Sequence, residues 1–358
     1  MDIILNLLGI AWNIIILLFV LGIIILIHEL GHFYFAKRYG VYIYEFSIGM
    51  GPVIFSKKGK DNVNYNIRAV PIGGFVQMAG EVYEDDDTGE IPKKDFMCNK
   101  KWYQRLMIMI AGVVNNFILA LVVLFFISLI WGGSLTKPVI KNVVEDTPAF
   151  TSGLEAGDRI LKINGEKTST WDNAQIVLAM KDKDGIYEFL VEKENKETKT
   201  IKIKPDDVIQ NGVNTKVFGI NIEVEETSGI IGSLKYAGVK FASIVDSMFL
   251  TLGALFTGKL SVNSLSGPVG MYQVVDIVKT SGLVNIIYLL AFLSVNVGIL
   301  NILPFPAFDG GRVLFLLIEK IKGSPVNRNL ENTLHMIGFV LLILLSLYVA
   351  FNDILKLI

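Results

Sequence analysis

Four stretches of the chain run almost free of polar residues for about 20 positions or more, the length a helix needs to cross the hydrocarbon of a bilayer. They extend from about Ile3 to Ala36, Leu106 to Trp131, Leu283 to Leu303 and Leu334 to Phe351. Between the second and third the period changes. "DRILKINGEK" and "LVEKENKETKTIKI" alternate apolar and polar positions or set turn residues between apolar runs, the mark of strands. "GSLKYAGVKFASIVDSMFLTLGALF" (232–256) returns to helical spacing with one apolar face, which suits an amphipathic helix lying on a membrane surface. Residues 42–80 read as successive strands broken by glycine turns.

The expected architecture is a polytopic α-helical membrane protein with four transmembrane helices. Its first span covers 1–36, a mixed β region 37–105, and the second span 106–132. A β-rich insert occupies 137–205 and a linker with the amphipathic helix 206–282. The third span and an irregular tail cover 283–311, a short loop 312–333, and the fourth span 334–352.

Composition agrees with a mixture of spans and water-exposed modules. Of 358 residues 52% are hydrophobic, high for a soluble domain and low for a protein that is all membrane. A formal net charge of −1 gives no global field for nucleic acid. The early charge is Asp2 rather than a basic cluster, so the first span reads as retained, not as a removable signal peptide. Lys37, Arg38, Lys100, Lys101 and Arg105 hug the ends of the first two spans, which places the loop between them in the cytoplasm. Arg312, Lys320, Lys322 and Arg328 place the last loop there too. The N-terminus and the β-rich insert are then extracytoplasmic. Cys98 is the only cysteine, which excludes an internal disulfide framework and any multi-cysteine metal site.

"IIILIHELGHFYFAK" (23–37) holds two of the chain's three histidines, His28 and His32, and Glu29 between them. His-Glu-x-x-His sets both imidazoles on one helix face, where they grip one cation, and sets the glutamate to take a proton from a water that the cation activates. Counting back from Lys37 at 1.5 Å per residue, His32 lies about 7 Å and His28 about 13 Å inward. Ionisable groups at such depth are costly unless they pair or line a polar cavity, so a zinc site is favoured over a helix-end hydrogen bond. A catalytic zinc takes a third protein ligand. "NILPFPAFDGGR" (301–312) supplies Asp309 beyond Pro304 and Pro306, in backbone too irregular to be lipid-exposed. The first and third spans both run from outside to inside, so Asp309 emerges on the same side as the histidines.

These motifs together resemble the site-2 protease family of intramembrane zinc metalloproteases, in the bacterial branch of the regulator of sigma-E protease. "FSIGMGPVI", "PIGGFVQMAGE", "GVVNNF" and "SGPVG" add to the likeness. "TPAFTSGLEAGDRILKINGEKTSTW" (147–171) is similar to a single PDZ domain of the permuted bacterial type. The resemblance implies zinc held by His28, His32 and Asp309, Glu29 as general base, and Asn301 near the substrate backbone. It implies a membrane-associated β-hairpin after the first helix, with Gly49 and Gly51 in it, that receives the unwound substrate as an added strand. Substrates are then transmembrane proteins such as anti-sigma factors or remnant signal peptides, met in the lipid. The PDZ domain would contact substrate ectodomains or C-termini and exclude bulky ones.

Asn115, Asn116 and Asn296 read as interhelical packing groups, His335 as a plain helix-end histidine, and the acidic run 81–90 as solvated loop. Two rival functions are a PDZ scaffold with a structural zinc and a metal transporter. Glu29 argues against the first, since a structural site needs no base. The lack of further carboxylates or histidines within 106–131 and 283–303 argues against the second.

Overall fold

The computed structural model describes residues 2–81, 91–180, 185–210, 213–265 and 267–356. The acidic run after Glu81 lies outside the described residues. In chain order the elements are α1 (Asp2–Arg38), β1 (Ile43–Lys58), β2 (Asn64–Met78), α2 (Trp102–Trp131), β3 (Gly133–Val143), α3 (Pro148–Thr151), β4 (Arg159–Ile163), β5 (Glu166–Lys167) and α4 (Trp171–Ala179). There follow β6 (Tyr187–Glu192), β7 (Thr198–Ile203), β8 (Asp206–Gln210), β9 (Val213–Val217), β10 (Ile220–Thr227), α5 (Gly229–Phe256), α6 (Pro268–Thr280), α7 (Leu283–Ile302), α8 (Asp309–Lys322) and α9 (Arg328–Leu355). Among the described residues five helices are long and apolar enough to cross a membrane: α1, α2, α5, α7 and α9. The protein is a multi-pass membrane protein.

Two compact units divide inside α2, one made of residues 1–123 and 265–358, the other of residues 124–264. In the first, backbones of α1 and α2 meet closely. A Cβ on Gly31 would lie 2.4 Å from the Ala111 carbonyl oxygen, so only glycine permits that approach. At the other end of α1, the Asn13 side chain joins Asp276 and Lys279 of α6, at 2.8 and 2.6 Å. The Asp353 carboxylate of α9 accepts the backbone N–H groups of Gly267 and Gly270, both at 2.8 Å, capping the N-terminus of α6.

β1 and β2 are each bent in the middle and pair twice. Residues 45–48 lie between 64–67 and 74–78, while 55–58 pair with 64–67 from the far side. This gives a four-stranded sheet whose central pair, 45–48 with 64–67, runs in parallel and whose two outer pairs are antiparallel. The bend in β1 falls at Gly49 and Gly51, with φ of 88° and 82°, a region in which side chains are strained. Arg68 fastens the bend by donating to the Gly51 carbonyl at 2.8 Å and to Glu45 at 2.7 Å. One outer strand, 53–58, is exposed; the other, Gly74–Met78, buries Val76 and Met78 against α1 and α2.

The second unit has a sheet in the order β10-β3-β4-β6-β7, with β5 beside β4 and a separate β8–β9 hairpin. Its core packs Tyr187, Phe189 and Phe218 with Ile140, Ile160, Ile163 and Ile203. Strand β10 falls in the stretch expected as linker, and completes the sheet by pairing with β3 from Gly133 to Val143. Helix α4 opens with a capping box between Thr170 and Asn173. Helix α5 is bound to this unit by polar contacts. Lys240 pairs with Asp172 at 2.6 Å, and Asn173 donates to Ser247 at 2.9 Å and to the Ser243 carbonyl at 3.1 Å. Ala254 enters the same apolar core.

Candidate active site

Helix α1 carries His28 and His32 one turn apart, both buried, with their rings edge to face at 4.8 Å. Asp309 arrives from the far end of the chain as the first residue of α8. Its approach is set by the Pro304–Phe308 segment, which Pro304 and Pro306 keep from being helical. Gly310 follows because a Cβ there would lie 2.2 Å from the Leu303 carbonyl oxygen. The His28 and His32 Nε2 atoms are 3.1 Å apart and lie 3.0 and 3.3 Å from Asp309 Oδ2.

Those separations fit zinc. Ligand bonds of about 2.0–2.1 Å in a tetrahedron put neighbouring donor atoms about 3.3 Å apart. Asp309 Oδ2 is buried without a hydrogen-bond partner of its own, the state expected of an oxygen kept for a cation. Two imidazoles and one carboxylate are also a donor set that zinc favours, with a fourth position left for water or substrate. The same three residues are the one cluster of metal-ligating groups found among the described residues.

Around the triad lies a cavity of about 580 Å³ that also takes in Glu29, Val76, Met78 and Arg312. Glu29 follows His28 and sits beside Gly74 of the outer strand, where a Cβ would be 3.9 Å from the Glu29 Cγ. On one flank of the cavity Arg312 pairs with Glu81, whose charge holds the guanidinium firmly protonated. Asn301, Gly49 and Gly51 are not among the residues lining this cavity. Asn301 sits in the last turn of α7, ahead of the proline segment, and the two glycines form the bend of β1 that follows Ile48, the residue paired with Gly74.

Several groups that sequence reasoning left aside meet the triad here. Gly112 of α2 faces both rings, and a Cβ on it would lie 2.6 Å from His28 Cε1 and from His32 Nε2. One turn before it the Ile108 carbonyl accepts from His32 Nδ1 at 2.8 Å; one turn after it, the Asn116 amide reaches His28 Nδ1 at 3.3 Å. The sequence signals for this stripe are the four-residue spacing of Ile108, Gly112 and Asn116 and the "GVVNNF" stretch that holds the last two. His335 of α9 lines the cavity too, and its Nδ1 accepts the backbone N–H of Ala307 at 3.0 Å.

A family model described as Peptidase family M50 matches residues 16–345. The zinc metalloprotease RasP of Shouchella clausii is 32% identical, with 94% of this chain and 97% of that protein covered. A putative zinc metalloprotease of Clostridium acetobutylicum is 35% identical, covering 96% of this chain and 97% of its own. The regulator of sigma-W protease RasP of Bacillus subtilis is 33% identical, covering 94% and 97%. The family match takes in α2, α7, most of α1 and the entire proline segment, and the relatives are matched nearly from end to end. The chain therefore belongs to peptidase family M50 and is a membrane zinc metalloprotease.

Proposed function

We propose that the protein hydrolyses peptide bonds inside the transmembrane segments of other membrane proteins, toward the cytoplasmic side of the bilayer. In this reading His28, His32 and Asp309 hold the zinc. The observation that carries it is the meeting of their three donor atoms, 3.0 to 3.3 Å apart, within one cavity that also holds Glu29. Zinc bound there supplies a Lewis acid that brings the pKa of water down to about 7. Glu29 takes the proton of the attacking water on its carboxylate and returns it to the departing amide nitrogen. The cavity walls from β2, the proline segment and α9 keep bulk water from the rest of the substrate.

A helix in lipid keeps its backbone bonded internally, so it must be unwound before it is cut. The strand Gly74–Met78 supports a way to do this. It pairs with β1 on one side, has no second partner strand among the described residues, and contributes Val76 and Met78 to the cavity. An extended substrate segment added to that edge would run past Glu29. Gly49 and Gly51, in the bend that follows the strand paired with Gly74–Met78, border the added substrate segment, and Asn301 meets the substrate backbone beyond the proline segment.

Four spans, α1, α2, α7 and α9, suit the basic loops at 37–105 and 312–333, with the second unit outside the cell membrane. The polar contacts of α5 with α4 support its place on the β-rich unit rather than across lipid. That unit is a PDZ-type module that meets the ectodomains or C-termini of substrates. Likeness to a regulator of sigma-W protease supports anti-sigma factors as a substrate class, with remnant signal peptides as a second.

The test compares the purified wild type with Glu29→Gln on a single-span model substrate, with and without a strong zinc chelator. Cleavage is expected from the untreated wild type alone. Cleavage that survives both the substitution and the chelator would overturn the mechanism.

A further inference from the structure

A histidine that binds metal through Nε2 does so with a lone pair, so its proton sits on Nδ1 and needs an acceptor. For His32 the acceptor is plain: the Ile108 carbonyl lies 2.8 Å from Nδ1 and has no proton to give. For His28 the polar group at Nδ1 is the side-chain amide of Asn116, at 3.3 Å, two helical turns beyond Ile108 on the same stripe of α2. Asn116 is fully buried, and Ser294 holds its backbone carbonyl from α7 at 2.8 Å, which fixes where the side chain starts.

With the Asn116 nitrogen toward the ring, its Oδ1 is buried without a partner. The two ends of a side-chain amide have nearly the same shape, so their order follows from bonding. Turned over, the amide offers Oδ1 to Nδ1–H of His28. Either order leaves one amide atom unpartnered, and ligation at Nε2 decides between them.

We infer that Asn116 is a positioning residue: its Oδ1 accepts the Nδ1 proton of His28 and thereby holds the Nε2 lone pair on the zinc. The neighbouring Asn115 has a different task. Its Nδ2 donates to the Ile27 carbonyl at 3.0 Å and ties α2 to α1 without touching a ligand ring. The two adjacent asparagines are thus separable by experiment.

The inference rests on His28 being a zinc ligand, and the experiment keeps the two claims apart. Full-length protein in detergent is loaded with zinc, and the rate and affinity of zinc loss to a chelator are followed with a zinc indicator. Folding is checked by protease resistance of the zinc-free form. Asn116→Leu, of similar volume but with no acceptor, is expected to bind zinc about 10- to 100-fold more weakly, the usual cost of losing an outer partner of a ligand. Asn116→Asp, which keeps an acceptor oxygen, is expected to hold zinc at least as tightly as the wild type. Asn115→Leu is expected to leave zinc affinity within about twofold, on the premise that only outer partners of a ligand affect it.

A folded Asn116→Leu protein that holds zinc like the wild type overturns the inference. So does a folded Asn116→Asp protein that loses zinc readily, and this variant decides the matter if the leucine protein does not fold. His28→Ala tests the underlying reading. Zinc retained at full affinity by that variant overturns the ligand set itself, whereas zinc lost by it and kept by Asn116→Leu overturns the role of Asn116 alone.

Discussion

His335 Nδ1 accepts the backbone N–H of Ala307 at 3.0 Å, and so a residue of α9 holds the segment that delivers Asp309. Ala307 has φ of 83°, a conformation that side chains rarely adopt. Three residues after His335, Gly338 touches the same segment, where a Cβ would lie 2.5 Å from the Pro306 carbonyl oxygen. Replacing His335 by Leu leaves the Ala307 N–H without its partner, at a cost of about 1–3 kcal/mol. The expected outcome is weaker zinc retention with α9 otherwise intact, read by chelator competition on the purified protein.

Ala307→Gly tests the same segment in the opposite direction. Glycine removes about 1–2 kcal/mol of left-handed strain and returns part of it as chain entropy in the unfolded state. The net expectation is a gain of about 0.5–1 kcal/mol with activity retained, measured by thermal unfolding in detergent. A loss of stability would mean that Ala307 is not strained.

Gly112→Ala is expected to lower zinc affinity by about tenfold or more, because the new methyl group has no room between the two ring edges. Gly22→Ala on α1, where a Cβ meets nothing within 4 Å, is the matched control and should bind zinc normally. Equal affinities for the two variants would show that α2 does not press on the triad.

The outer strand can be probed with a single cysteine, since Cys98 is the only natural one and can be replaced by Ser. Gln77→Cys, exposed on the strand beside the cavity, is expected to form a disulfide with a cysteine placed near the scissile region of a Glu29→Gln-trapped substrate. Phe55→Cys, on the opposite outer strand and 56% exposed, is expected not to. The reverse pattern would assign the substrate to the far edge.

Acid affects the tip of the β sheet through Asp61. Its carboxylate accepts from Lys37 at 2.6 Å and from the Tyr65 hydroxyl at 2.9 Å, and the lysine bond, foremost, draws its pKa down to about 2. A carboxylate whose pKa is depressed on folding stabilises the fold above its ordinary value of about 4 and stops doing so as pH falls through the folded value. Asp61→Asn should therefore speed backbone hydrogen exchange around Gly59 and Val63 at pH 6. Near pH 2 the difference from wild type should shrink.

The apolar runs, the His-Glu-x-x-His spacing and Asp309 beyond the proline pair could all be read from the chain, because each depends on period, spacing or composition. The roles of Asn115 and Asn116 could not. Two identical neighbours differ only in the phase of α2 against α1, and that phase is set by the Gly31–Ala111 approach. His335 was equally silent, since its partner is a backbone amide 28 residues away that no motif marks. Helix α5 passes the length and hydropathy test for a span, yet Lys240, Ser243 and Ser247 recur on one side to meet α4. The bend of β1 back on itself was foreshadowed only by its glycines.

If substrate segments pair with Gly74–Met78 as proposed, that edge reads main-chain amides and is nearly blind to side chains. Selection among clients would then fall on how easily each helix frays at the right depth. Glycine or a β-branched residue near the scissile bond, which weakens a helix by up to about 1 kcal/mol per residue, would matter more than any consensus at the cut. Susceptibility would follow the mechanical softness of the client rather than its spelling.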